Sequence, residues 1–174
     1  MSNSNVKLEA VKGDITKQEN ISAIVNAANA ELQIGSGVAG AIHTAAGKGL
    51  AEECRALAPI KTGEAVITGA YELPNQHIIH VLGPIYGFNK PEVKLLSNCY
   101  ENALTLAENH NIESIAFPAI STGAFGYPFE DATEIVLSTV QDFIKKAHSI
   151  KKIRFVLFSN KDYEYYENKL RGIK

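Results

Sequence analysis

IVNAANAELQIGSGVAGAIH, Ile24 to His43, opens as an apolar, β-branched run and closes as a short helical segment, Val38 to Ala46. Between the two lie Asn26 and Asn29 and a loop carrying Gly35, Gly37 and Gly40. A buried strand that passes through a glycine-rich loop into a helix is the building unit of an α/β sheet with crossover connections. Ligands of such sheets sit in the crevice beyond the carboxyl ends of the strands. The stretch therefore fixes the fold class and marks the first place to look for a site.

Outward from it, apolar runs predict strands at Val6–Val11, Ala23–Asn26, Ala65–Thr68, Ile78–Leu82, Ser114–Pro118 and Ile153–Phe158. Helical spacing predicts helices over Glu92–Asn109, behind Pro91, and over Phe129–Ala147, with a last one after Lys161. The alternation implies a mixed sheet with helices on both faces. At 174 residues and 45% apolar composition the chain is long enough for one well-buried core, so a single domain over residues 1–174 is expected, with Met1–Asn5 as a frayed start. A net charge of −2 argues against coating nucleic acid or an anionic membrane by charge alone. No stretch approaches the ~20 apolar residues of a transmembrane helix, and the start lacks the apolar heart of a signal peptide, so the expected location is cytoplasmic. Two cysteines, Cys54 and Cys99, fall in helical segments without metal-ligand spacing, which predicts idle thiols and no metal site.

The loop around Gly35, Ser36, Gly37 and Gly40 offers outward-pointing amides at a helix start, a setting suited to phosphate. A plain turn between strand and helix is the other reading, and the spacing fits neither the P-loop nor the Rossmann fingerprint. A second loop, Ile120 to Tyr127, likewise follows a strand and precedes a helix opened by Pro128. It adds a row of amides, with Phe125 and Tyr127 as apolar walls. Neither loop holds a Lys or Arg, so backbone donors would carry the binding, which suits a diphosphate. Asn26 and Asn29 can both donate to and accept from the hydroxyls of a ribose, or can close a turn through side-chain bonds. Asp14 can accept from an exocyclic amine or cap the next turn. His77 and His80, three apart on a strand, point to opposite faces, and Tyr163, Tyr165 and Tyr166 read as packing.

As a set these residues resemble the macro domain family: GDIT at Gly13–Thr16, AIVNAAN at Ala23–Asn29, the GxGVxGAIH pattern at Gly35–His43, TGEAVITGAYELPNQHIIHVLGP at Thr62–Pro84 and AFPAISTGAFGYP at Ala116–Pro128. The match is closest to the MacroD-type ADP-ribose hydrolase branch. The resemblance implies a three-layer α/β/α sandwich with a mixed central sheet and an ADP-ribose site without further cofactor. Asp14 and Ile15 would meet the adenine, and Gly37, Val38, Ala39 and Gly40 would wrap the diphosphate with Ser121, Thr122, Gly123, Ala124 and Phe125. Asn29, with Asn26, would bind the distal ribose, which Phe125 shields, and Phe158 would wall the adenine unless it is core. Mono-ADP-ribosylated proteins would be the partners, with no membrane.

Position 39 departs from the pattern. MacroD-like hydrolases usually carry Asp in GVDGAIH, where this chain has Ala39. Catalysis would then rest on a placed water and a stabilised developing charge, with Asn29, Gly37 and His43 as the candidate catalytic residues. His43 can alternatively make a structural hydrogen bond on the inner side of its helix. The implied activity is slow release of mono-ADP-ribose from Asp or Glu side chains, with O-acetyl-ADP-ribose as a further substrate. The alternative is a reader of ADP-ribose without turnover. A third reading, action on ADP-ribosylated nucleic acid, would call for a basic strip flanking the site, for which the sequence offers little beyond Lys48, Lys61 and Lys90.

Overall fold

A computed structural model of the protein describes residues 5–173. The expected frayed start, except Asn5, lies outside them. Six strands form one sheet: β1 (Lys7–Lys12), β2 (Ala23–Ala27), β3 (Ala65–Gly69), β4 (His77–Val81), β5 (Ser114–Pro118) and β6 (Lys152–Leu157), in the order β1-β6-β5-β2-β4-β3. Only the β3–β4 pair is antiparallel, so the sheet is mixed as expected. The helices are α1 (Gly37–Ala46), α2 (Lys48–Leu57), α3 (Glu92–Asn109), α4 (Phe129–Ile144) and α5 (Asn160–Arg171), with a 3-10 turn at Ile15–Lys17.

Alternation along the strands sorts the core into two layers. Ala23 and Val25 of β2, Ile115 and Phe117 of β5, and Ile153 and Phe155 of β6 face α3, α4 and α5. Ile24, Ile78, Ala116 and Val156 face α1 and α2, where Ile42, Leu50 and Cys54 cover them. The result is the three-layer α/β/α sandwich. On the first face Tyr100, Phe117, Phe155 and Tyr166 pass ring to ring, with successive centroids 4.7, 6.2 and 5.1 Å apart. Helix α4 ends three residues before its predicted limit, because Lys146 and Ala147 donate to carbonyls three residues back and tighten the last turn. No described helix is long and apolar enough to cross a membrane.

The central pair decides where a crevice can open. β2 and β5 lie side by side, yet the chain leaves β2 for α1 on one face and leaves β5 for α4 on the other. The loops after both strands therefore part at the same end of the sheet, which is the switch-point geometry of α/β ligand sites.

Beneath α1 the sheet carries a buried polar chain. His80 of β4 is fully buried; Asn26 Nδ2 donates to its Nδ1 at 3.1 Å, and its Nε2 lies 2.9 Å from Thr68 Oγ1, which donates onward to the Gly69 carbonyl. This pattern places the ring proton on Nε2 and satisfies the neutral imidazole at both nitrogens. Burial, with a smaller contribution from His43 nearby, drives the His80 pKa down to about 3. Between that value and the ordinary 6.5 the folded state binds fewer protons than the unfolded chain, so stability is complete above pH 6.5 and is lost as pH falls. The expected loss approaches ~1.4 kcal/mol per pH unit below 6.5. Denaturant unfolding at pH 7 and pH 5 checks it, with His80→Gln flattening the slope.

Candidate functional site

The crevice between the two loops has two lobes that share Gly37, Val38, Ala119 and Gly123. The first encloses about 500 Å³ and is lined by Asp14, Ile15, Thr122, Phe158 and Asp162. The second encloses about 430 Å³ and is lined by Asn29, Ala39, Gly83, Ser121, Ala124 and Phe125. Neither wall contains a Lys or Arg side chain.

The joint between the lobes is built from backbone. Gly37, Val38 and Ala39 are the first three residues of α1, so their N–H groups have no intrahelical partner, and Ser36 supplies no side-chain cap. Across from them, no amide from Ser121 to Phe125 donates to another group among the described residues. Ser121 holds φ +69°, a left-handed conformation that a Ser adopts only where its surroundings fix it, and the Tyr127 amide closes the loop onto the Ser121 carbonyl at 2.8 Å. Two rows of unpaired donors, one with a helix dipole behind it, converge on one spot. An anion held there needs no cationic side chain.

Two glycines make the first row possible. Gly37 sits at φ +60° and turns the chain into the helix. Gly40 lies one turn later, where a Cβ would overlap the Gly35 carbonyl oxygen, so its lack of a side chain lets the loop fold back on the helix.

At the ends the side chains differ. Asp14 Oδ1 accepts from the Thr16 hydroxyl at 2.7 Å and the Thr16 amide at 2.9 Å, and these bonds hold its carboxyl below the usual carboxylate range. Asp14 is therefore both the cap of the 3-10 turn and an anion with one oxygen free. Phe158 is 89% exposed, which excludes the core reading and leaves its ring standing on the rim of the first lobe. In the second lobe Asn29 closes a turn after all: its Nδ2 donates to the Gln33 carbonyl at 2.8 Å and its Oδ1 accepts from the Gln33 amide at 3.0 Å. One N–H and one lone pair remain for a guest. The methyl of Ala39 supplies no acid at that position.

Four expected residues are placed elsewhere. Asn26 is fully buried on His80 and does not line the crevice, because alternation along β2 points it under α1. His43 is also buried, its ring centroid 6.5 Å from that of His80 and its pKa lowered by burial; its Nε2 has no hydrogen-bond partner, so neither a catalytic contact nor the expected structural bond is made at that atom. Gly40 supports the loop from behind rather than lining it. Tyr127 is buried against Tyr86, centroids 4.8 Å apart, and is no wall of the site. Sequence reasoning missed Asp162, half-buried in the first turn of α5 with its amide on Ser159 Oγ. The Ser159-x-x-Asp162 pattern directly after Phe158 was the available signal.

These features define a class: a three-layer α/β domain whose ligand crevice, at the sheet's switch point, is lined by backbone amides. The macro domain family profile matches residues 25–136. A macro domain-containing protein of Chlorobaculum tepidum is 47% identical over 167 residues, spanning 95% of this chain and 96% of its own. The ADP-ribose glycohydrolase MACROD2 of Xenopus laevis is 47% identical over 94% of this chain, which spans 40% of that protein's length. Among solved structures, the Oceanobacillus iheyensis macrodomain with ADP matches with a TM-score of 0.92 at 43% identity, over 98% of this chain and 94% of that one. The Trypanosoma brucei macrodomain in complex with ADP-ribose matches at 0.89 and 33%, over 98% and 72%. The chain belongs to the macro domain family.

Gly40→Ala forces the Gly35 carbonyl away and should cost ~1–3 kcal/mol of stability, read as a lowered denaturation midpoint.

Proposed function

We propose that this crevice binds ADP-ribose and that the protein, acting as one macro domain in the cytoplasm, releases mono-ADP-ribose from Asp and Glu side chains of modified proteins. The observation that carries the reading is the convergence of two unpaired amide rows on the joint between an aromatic, acidic lobe and a small polar one. The ADP-ribose of the Trypanosoma structure has the matching order of base, diphosphate and distal sugar, and the ADP of the Oceanobacillus structure carries the base and diphosphate of that series.

In this reading Asp14 accepts from the adenine amine beside the Ile15 backbone, and Phe158 covers the ring. Gly37, Val38 and Ala39 on one side, and Ser121, Thr122, Gly123, Ala124 and Phe125 on the other, donate to the diphosphate. Asn29 uses its remaining N–H and lone pair on the distal ribose, which Phe125 shields. Water then cleaves the ester between that ribose and the carboxyl group, releasing free ADP-ribose and the restored acid. O-acetyl-ADP-ribose presents the same ester and is the second substrate. With Ala39 in the lobe, the water's proton passes to the substrate's own phosphate, and the rate depends on positioning. A general base typically contributes ~10²–10⁴, so turnover is slow. The same Ala39 favours the second reading, a binder without turnover.

The deciding experiment is single-turnover release of ADP-ribose from an Asp/Glu-linked modified protein. Release by the wild type, faster in Ala39→Asp by up to ~10²–10⁴, supports the hydrolase. Release by the variant alone leaves a reader. Separately, Phe158→Ala should weaken ADP-ribose binding by about tenfold (stacking on an aromatic is worth ~1–3 kcal/mol) without changing thermal stability, because the ring contributes almost nothing to the core.

A further inference from the structure

Beside the second lobe several apolar side chains stand largely outside the core. Ile34, next to the lining residue Gly35, is 62% exposed. Beyond Gly83, on the other wall, the loop leading to α3 presents Ile85, Tyr86 and Phe88, the last 77% exposed.

That loop is held in shape. The Tyr86 amide donates to the carbonyl of Phe125, itself a wall of the lobe, at 2.9 Å, and the Tyr86 ring packs on Tyr127. The amides of Phe88 and Asn89 both donate to the Ile85 carbonyl, the Ile85 amide donates to Asn89 Oδ1 at 2.8 Å, and the Gly87 amide donates to a Glu92 carboxylate oxygen at 2.9 Å. Phe88 is thus displayed on a hydrogen-bonded turn. Apolar groups displayed in this way beside a ligand site mark an interaction surface.

We propose that this rim docks the polypeptide that carries the modification, and that it selects apolar residues flanking the modified acid. The inference rests on the reading above, in which the distal ribose occupies the second lobe. In that reading the group joined to the ribose leaves the lobe beside Gly35, Gly83 and Phe125, the lining residues next to Ile34 and to the Ile85–Phe88 turn. The nearby charges are of both signs, Glu31 and Glu92 against Lys90, so neither an acidic nor a basic segment gains from the rim what an apolar one gains.

The test uses three peptides, each carrying ADP-ribose through one hydrolysis-resistant linkage, flanked by Leu and Phe, by Ser and Gly, or by Glu. The wild type should bind the apolar-flanked peptide about tenfold more tightly than the Ser/Gly one. In an Ile34→Ser, Phe88→Ser double variant that preference should vanish while the affinity for free ADP-ribose stays within twofold. Equal affinity for all three peptides, preference for the Glu-flanked one, or an apolar preference that survives the double substitution overturns the proposal while ADP-ribose binding stands. Dimerisation of the wild type that the double variant abolishes assigns the rim to a second copy of the chain and also overturns it. Failure of the wild type to bind free ADP-ribose overturns the site reading and this inference with it.

Discussion

The parallel pairing of β2 with β5 is the constraint on which the site depends. The two strands share a register, Ala23 with Ile115 and Ile24 with Ala116, and so end within one residue of each other. Because α1 and α4 lie on opposite faces, the connections leaving the pair must separate, and the space between them cannot be filled by either helix layer. Every residue of the two-lobed crevice is placed relative to that gap: the start of α1 on one wall, the Ser121–Phe125 loop on the other, and the end of β6 with Phe158 at one extremity.

Within the gap the protein places donors rather than charges. Lysines or arginines there would attract any anion and would have to be desolvated around it. Unpaired amides backed by a helix start are partial charges fixed in direction, so they favour a guest whose oxygens meet them at the right points. The cost is borne locally, in the left-handed Ser121 and in the close passage of Gly40 behind Gly35. The acids of the first lobe, Asp14 and Asp162, further separate it in character from the joint.

Below α1 lies a layer of polar groups that no solvent reaches. His80 is stabilised as a neutral ring by Asn26 and Thr68, and His43 lies over it from the helix. A histidine so placed couples the fold to acid: protonation of either ring puts charge where burial disfavours it.

Strand and helix identities were legible in the sequence because they follow from local rules. The apolar runs of β5 and β6, the helical spacing from Glu92 to Asn109 and the glycine loop before Val38 all signal their elements within a few residues. Asp14, the loop glycines and the Ser121–Phe125 segment were grouped by the sequence pattern, and they line or support one crevice. The direction of individual side chains was not. Asn26 and Asn29 are the same residue type three positions apart, yet strand alternation buries the first on His80 while the end of the strand releases the second toward the crevice. His43, Tyr127, Phe158 and Asp162 were settled in the same way, by which neighbour from a distant part of the chain occupies the space beside them. The sequence alone determined which elements form and which loops lack side-chain bulk, since both are properties of contiguous residues. Only the tertiary structure decided which of their atoms face solvent, core or crevice, because that depends on strand order and helix layering, contacts that local periodicity does not encode.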